Sequence, residues 1–355
     1  MRILLKKGLS YDDVLLKPQK TSVDSRSEID ISVRLADHEI KTPVMSAAMD
    51  TVTEHELASE VARLGGLGCI HRFMTAEDQT QEVRKVKNSG TAKNSATDRD
   101  GKLLVSAAVG LNDRKRAKRL IEAGLDFLVL DIAHGHHTSL IREIKYYRER
   151  FDAGIIAGNV GTAEGAKDLV DAGADAVKVG IGPGSSCITR EVAGAGVPQF
   201  TAVKECAEAI DKPVIADGGI RKPGDLSKAI AAGASLGQLG GMFAGTDETP
   251  GEIIREDGKK YKLYRGMASK EAAEKRAERE NREEKSHSEK APEGTEVKVE
   301  YKGGLKEIIS NLEGGLRSGI SYCGAESIEQ AQRNAEFIEI TESTQSRNPH
   351  HAESI

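Results

Sequence analysis

The sequence predicts an α/β chain folded as a (β/α)8 TIM barrel, and three observations carry that expectation. Eight short apolar or β-branched runs recur along the chain, and amphipathic helical patterns separate them. The third observation is a faint repeat: EAGLDFLVLD at 122–131, DAGADAVKVG at 171–180 and AAGASLGQLG at 231–240 each set Ala-Gly just ahead of an apolar run. Glycine there suits the left-handed residue that ends a helix, so each copy reads as a helix feeding a strand. Such alternation calls for parallel strands covered on both faces, and closing them into a barrel collects functional residues on the loops after the strands. An open doubly wound sheet is the competing arrangement.

The candidate strands are 43–48, 66–70, 103–109, 127–131, 154–158, 176–180, 213–216 and 236–240. Between the third and fourth, 112–123 sets Ala117, Leu120 and Ile121 on one helical face and its Arg and Lys residues on the other. Two segments break the rhythm. The polar stretch 88–101 (NSGTAKNSATDRDG) reads as a surface connection. The longer one, 246–324, reads as a flap inserted after the eighth strand, within a single catalytic domain spanning 1–355. From 269 to 291, 14 of the 23 residues are charged, too dense a run to enter a core. It predicts a solvated helix laced with i, i+4 pairs, compatible with a mobile lid over the barrel mouth.

Composition narrows the function. Hydrophobic residues at 38% and 37 glycines against 9 prolines describe a soluble globular protein, which excludes disorder and collagen. With 51 Lys and Arg against 56 Asp and Glu, the net charge of −5 offers no basic field for a nucleic acid or an anionic membrane. No run of apolar residues is long enough to span a bilayer, and the start, MRILLKKGLSYDD, is too short in apolar residues for a signal peptide, so a cytoplasmic location is expected. The four cysteines, Cys69, Cys187, Cys206 and Cys323, have no metal-ligand spacing and are expected to be reduced.

The richest chemistry follows the sixth candidate strand, in KVGIGPGSSCITREVAGAGVPQ at 178–199. Gly180, Gly182 and Gly184 let backbone groups approach a ligand or ion that side chains would exclude. Cys187 follows among Ser185, Ser186 and Thr189, where amides and nearby cations favour a thiolate nucleophile. Cys69 and Cys206 read instead as small buried hydrophobes. After the seventh strand, Asp217 with Gly218 and Gly219 suits a ribose diol, and after the eighth, Gly240 and Gly241 suit a phosphate. Asp131, ending the fourth strand, reads as a ligand for a second nucleotide's hydroxyls. His134, His136 and His137 lack further ligands at zinc-like spacing, so no zinc site is expected.

GIGPGSSCITREVAGAGVPQ resembles the catalytic loop of the IMP dehydrogenase and GMP reductase family. So, in order, do GLSYDDVLLKP (8–18), SAAMDTVTE (46–54), AGNV (157–160), ADGGI (216–220), YRGMAS (264–269), PEG (292–294), YKG (301–303) and GLRSGISYCGA (315–325). The resemblance implies that Cys187 attacks C2 of a purine nucleoside monophosphate and that hydride passes between C2 and NAD or NADP. Thr189 matches the catalytic-loop threonine and Glu293 the flap acid acting with it. Asp217 would hold the ribose, and Ser185, Gly218, Gly219, Gly240, Gly241 and Tyr264 would surround the phosphate end. Gly266, Met267 and Ala268 would meet the base, with Met49 and Asn159 near the reacting centre. Asp131 and Gly180 match the cofactor side, and carbonyls of Gly182, Gly184 and Cys187 match a potassium site. A homotetramer is implied.

Bacterial and eukaryotic IMP dehydrogenases usually insert paired CBS modules between the second and third strands, and only 88–101 stands there, a lack that leans toward the reductase. SAAMDTVTE, DIAHGH, CITREV, LRSG and the tail NPHHAESI favour the dehydrogenase, IMP + NAD + water to XMP + NADH. That enzyme's flap normally holds an Arg-Tyr pair that activates water, yet 265–300 contains no tyrosine, leaving Arg276, Arg279 and Arg282 as loose candidates. GMP reductase, GMP + NADPH to IMP + ammonia + NADP, needs no such pair and is the alternative; LGGMFAG and GEIIREDGKKYKL lean its way. A barrel that binds purine nucleotides without turnover is a third reading, against which Cys187 and Thr189 both argue.

Overall fold

In the computed structural model the described residues are 7–280 and 291–341. Strand β1 (Val14–Leu16) and the hairpin β2 (Val33–Leu35) and β3 (His38–Ile40) precede eight parallel strands. These are β4 (Val44–Ser46), β5 (Gly68–Ile70), β6 (Val105–Val109), β7 (Phe127–Asp131), β8 (Gly154–Val160), β9 (Ala176–Val179), β10 (Val214–Asp217) and β11 (Leu236–Leu239). All eight candidate runs are strands, in the hydrogen-bonded order β4-β11-β10-β9-β8-β7-β6-β5. The ring closes where Met45 and Leu67 form a parallel bridge, with Ser46 N donating to Leu67 O and Leu67 N to Val44 O, both at 3.0 Å. The sheet is a barrel and not an open doubly wound sheet.

Between the strands run α1 (His55–Arg63), α2 (Ala76–Lys87), α3 (Arg114–Glu122), α4 (Thr138–Arg148), α5 (Ala163–Asp171), the short α6 (Thr189–Val192), α7 (Gln199–Ala209) and α8 (Pro223–Ala231). The two-residue period of each strand divides its side chains between two cores. Leu128, Leu130, Ile155, Val177, Val179 and Val214 face the helices, whereas Met45, Cys69, Phe127, Val129, Ile156, Ile215 and Leu236 fill the barrel. The β2–β3 hairpin closes the floor of the barrel. Its Leu35 and Ile40 join the inner cluster, and His38 meets Phe127 edge-on at 5.2 Å.

After β11 come β12 (Ile254–Glu256), β13 (Lys259–Arg265), α9 (Lys270–Glu280) and β14 (Glu296–Glu300), of which the three strands form one antiparallel sheet. Then follow α10 (Leu305–Tyr322), α11 (Ile328–Asn334) and β15 (Phe337–Glu339), which pairs with β1. Helix α9 carries one expected i, i+4 pair, Lys270–Glu274 at 3.4 Å, and an i, i+3 pair, Lys275–Glu278 at 2.9 Å, while its one fully buried side chain among those described, Ala272, is small enough to dock. Arg282, the side chains of Arg276 and Arg279, and the tail NPHHAESI lie outside the described residues. No helix among the described residues is long and apolar enough to cross a membrane.

Two boundaries differ from the sequence reading. The span 246–324 takes in α10, whose Leu305, Ile309, Leu312, Leu316 and Ile320 are buried in the outer core, with Thr42 Oγ1 donating to Glu313 at 2.6 Å beside β4. That helix belongs to the barrel's outer ring, and its charged outer face masked its apolar stripe. The stretch 88–101 is not wholly a surface connection either. Ala96 is buried in the inner cluster, its N–H donating to Ala62 O at 2.8 Å and its carbonyl accepting from Leu104 N at 3.0 Å. One alanine in a polar stretch gives no periodic signal to reveal this.

Helix α1 lies directly on β5: a Cβ at Gly68 would sit 2.4 Å from Ala58 Cα. Gly68→Ala should therefore push α1 off the sheet and lower stability by about 2 kcal/mol in urea denaturation. Wild-type stability in that variant would show that the packing has slack.

Candidate active site

A cavity of about 990 Å3 opens at the carboxyl ends of the strands. It gathers Met49, Asn159, Gly180, Gly182, Gly184, Ser185, Cys187, Thr189, Asp217, Gly218, Gly219, Gly240, Gly241, Tyr264, Gly266, Met267, Ala268 and Glu293 onto one surface. Asp131 does not line it. Its carboxylate lies to one side, where its Oδ1 accepts from Lys178 Nζ at 2.8 Å.

The cysteine loop leaves β9 through Gly180, where a Cβ would fall 2.0 Å from the Asp217 carbonyl oxygen, so only glycine lets β9 approach β10 this closely. At Gly182 the backbone takes φ +83°, a turn that returns the chain across the barrel mouth. Backbone hydrogen bonds then hold the flap in place against the loop. Ile188 N donates to Glu293 O at 2.9 Å, Thr295 N to Ser186 O at 3.1 Å and Glu293 N to Ala268 O at 3.0 Å, and Cys187 bridges Gly294. These bonds deliver the Glu293 carboxylate to the cysteine. Thr189 Oγ1 donates to Glu293 Oε2 at 2.6 Å and lies 3.1 Å from Cys187 Sγ, a three-residue path along which a proton can leave or reach the sulfur.

Behind the loop sits a charge that the sequence reading did not single out. Lys178 occupies an inward position of β9, its side chain 1% exposed, and its ammonium stands 2.8 Å from Asp131 Oδ1 and 3.2 Å from Asp217 Oδ2. Burial opposes a charge on either partner. For Asp131 the nearby ammonium outweighs burial and holds the carboxyl below the usual carboxylate range, and for Lys178 the two carboxylates outweigh it and hold the amine above the usual lysine range. Asn159 Nδ2 also donates to Asp217 Oδ2 at 2.8 Å and to the Gly180 carbonyl at 2.9 Å. Asp217 is thus oriented from two sides.

The far end of the cavity is narrow and polar. Ser185 Oγ donates to Tyr264 OH at 3.2 Å, and a Cβ on Gly240 or Gly241 would fall 3.0 Å from that phenol oxygen or 2.9 Å from Ser185 Oγ, respectively. Elsewhere, burial pushes the Cys69 and Cys206 thiols up to about 12, which keeps them inert, and His136 Nε2 lies 2.8 Å from Asp168 Oδ2.

Residues 8–351 match the IMP dehydrogenase / GMP reductase domain. The chain belongs to this family. Its relatives include the inosine-5′-monophosphate dehydrogenase of Cryptosporidium parvum, 43% identical over 95% of this chain and 93% of that one. The GMP reductase of Leishmania donovani is 37% identical over 95% of each. Among solved structures, a GMP reductase from Trypanosoma brucei in complex with guanosine 5′-monophosphate superposes with a TM-score of 0.93, at 34% identity over 99% of both chains. Both named activities are NAD(P)-dependent oxidoreductions of purine nucleotides, and the protein is an enzyme of that class.

Family membership explains what the loop motifs share but does not by itself locate Lys178, Gln199 or Lys302. Gln199, at the start of α7, donates to the carbonyls of Val179 at 2.7 Å and Asp217 at 3.2 Å, fastening β9 to β10 at the rim. A lysine inside an apolar strand was the available signal for Lys178, because a buried ammonium needs carboxylates. Lys178→Met should leave Asp131 and Asp217 facing each other unpaired, at a cost of roughly 3 kcal/mol in urea denaturation at neutral pH. Asp131 is stabilising above its unfolded pKa and loses that share as pH falls through its lowered folded value, so the variant's deficit should shrink as pH falls below about 4. A deficit that grows in acid would assign the Lys178 charge another role.

Proposed function

We propose that the enzyme oxidises IMP at C2, converting IMP, NAD and water to XMP and NADH. The chain Cys187–Thr189–Glu293, closed by a flap acid 104 residues distant from the threonine, carries the reading. Cys187 Sγ adds to C2 as the thiolate, its proton having gone to solvent, so that Glu293 stays ionised for the water step. NAD, when bound, would supply the hydride acceptor; loss of hydride from C2 leaves a thioimidate on Cys187. Water then adds to C2, helped by Thr189 with Glu293 as base, and the C–S bond breaks to free XMP and the thiol. Asp217 holds the ribose diol, Ser185, Gly219, Gly240, Gly241 and Tyr264 the phosphate, and Met267 and Ala268 the base.

For the cofactor, Asp131 suits the ribose diol of NAD or NADP, since Lys178 engages one of its oxygens and its side chain remains 28% exposed. For potassium, the donors would be the carbonyls of Gly182, Gly184 and Cys187. Carbonyl oxygens are hard donors, and although Gly184 O already accepts Cys187 N at 3.1 Å, a carbonyl has a second lone pair, so the set fits a monovalent ion that braces the loop. We place the enzyme in the cytoplasm as a homotetramer, a reading supported by the family resemblance. Alignments with the Leishmania reductase and with an archaeal dehydrogenase run to 468 and 458 positions, longer than this chain. That supports reading 88–101 as standing where longer relatives carry CBS modules.

One observation favours the second reading, GMP reduction to IMP and ammonia: residues 265–300 contain no tyrosine to pair with an arginine and activate water. Incubation with IMP and NAD, and separately with GMP and NADPH, separates the two by absorbance. Cys187→Ala should abolish turnover yet leave nucleotide binding within about tenfold, because losing the nucleophile strikes the transition state more than the ribose and phosphate contacts. Ordinary turnover in that variant would refute the covalent route.

With the general base resting on Thr189 and Glu293 alone, hydrolysis should lag hydride transfer, giving a burst of NADH and then slow turnover. Glu293→Gln should cut the slow phase by about 10²-fold or more and spare the burst. Steady GMP-dependent NADPH oxidation with ammonia release, and no burst with IMP, would instead establish the reductase.

A further inference from the structure

The polar end of the cavity, at Gly240, Gly241, Ser185 and Tyr264, presents hydroxyls and backbone but no charge of its own. Three cations line the cavity. Arg221 pairs with Asp12, and Arg190 packs against Gly182 and Gly196 on the cysteine loop, its guanidinium donating to Val197 O. Lys302 is the third. Its Nζ donates to the carbonyls of Gly241 at 2.7 Å and Met242 at 3.1 Å, and no described carboxylate pairs with it.

The geometry of this corner is set from two directions. Residues 240–244 form a helical turn in which Phe243 N and Ala244 N donate to Gly240 O at 3.0 and 2.8 Å. The strand returning from the flap runs beside the turn, with Lys302 N donating to Gly245 O and Asp247 N to Gly303 O, both at 2.9 Å. The Lys302 ammonium therefore draws the carbonyls of the turn toward itself and brings a positive charge to the one end of the cavity otherwise built from neutral groups. A dianion gains from such a charge, whereas a neutral ligand does not. Lys302 is exposed, so an anion can reach it, and partial desolvation pulls its pKa below the usual lysine range.

We propose that Lys302 is a positioning and specificity residue for the nucleotide's 5′-phosphate: it sets the Gly240–Gly241 turn and selects a phosphorylated nucleoside over the free nucleoside. The proposal rests on the reading of that turn as the phosphate site. The comparison that tests it uses the substrate IMP and the inhibitor inosine, which differ only in the phosphate; GMP and guanosine replace them if the enzyme runs as the reductase.

In Lys302→Met, KM for IMP should rise about tenfold, with kcat within about twofold and the inosine inhibition constant unchanged. Lys302→Arg, which keeps the charge, should recover most of the loss and covers the case in which the methionine variant folds poorly. An unchanged KM for IMP would overturn the proposal. So would an inosine constant raised by the same factor as KM, since a merely structural lysine would loosen both ligands alike. If the wild-type enzyme itself failed to distinguish IMP from inosine, the phosphate-site reading would fall first, a result visible before any substitution is made.

Discussion

Closure of the strand ring governs everything else in this molecule. An open sheet of eight parallel strands would leave an unpaired edge on each side, and the bridge between Met45 and Leu67 removes both edges at once. With the ring closed, every strand ends on the same rim. Residues as remote in sequence as Met49, Asn159, Cys187, Asp217 and Gly240 then share one cavity, because each lies at the carboxyl end of a barrel strand or on the loop that follows it.

The floor and the mouth of the barrel are built by different physics. The β2–β3 hairpin and Ala96 close the floor with apolar side chains that have no partner but one another. The mouth is assembled by backbone hydrogen bonds between the cysteine loop and the flap, which tolerate the varied side chains of 186–188 and 293–295 while holding the main chain to a single register. That register is what puts Glu293 on Thr189 and Thr189 beside Cys187. A flap carrying so many charges contributes little to the core, so its placement depends on these few bonds and on Tyr264 reaching into the cavity.

Charge is distributed with the same economy. Lys178 stands at an inward position of the barrel, where the neighbouring layer is apolar, and it holds two carboxylates that would otherwise repel. Those carboxylates belong to the two regions proposed for the substrate ribose and the cofactor. The arrangement ties the electrostatics of both to one buried ammonium, while Lys302 places a separate positive charge beside Gly241, at the end proposed for the phosphate.

The sequence alone determined the barrel, because eight apolar runs at helical intervals admit few other ways to bury both faces of each strand. It also singled out the candidate nucleophile and the glycine-rich corners, since a cysteine among glycines after a strand and Gly-Gly after two strands are local patterns. The tertiary structure alone decided the pairings. Lys178 reads as one lysine in an apolar strand until β7 and β10 bring Asp131 and Asp217 to it. Lys302 stands in the sequence only as part of YKG until the returning flap lays it on the Gly241 carbonyl. Helix α10 reads as part of the flap until it is seen covering the barrel beside β4. In each case the partner lies tens to hundreds of residues away, and no periodicity in a one-dimensional pattern records a contact made only by closing the ring.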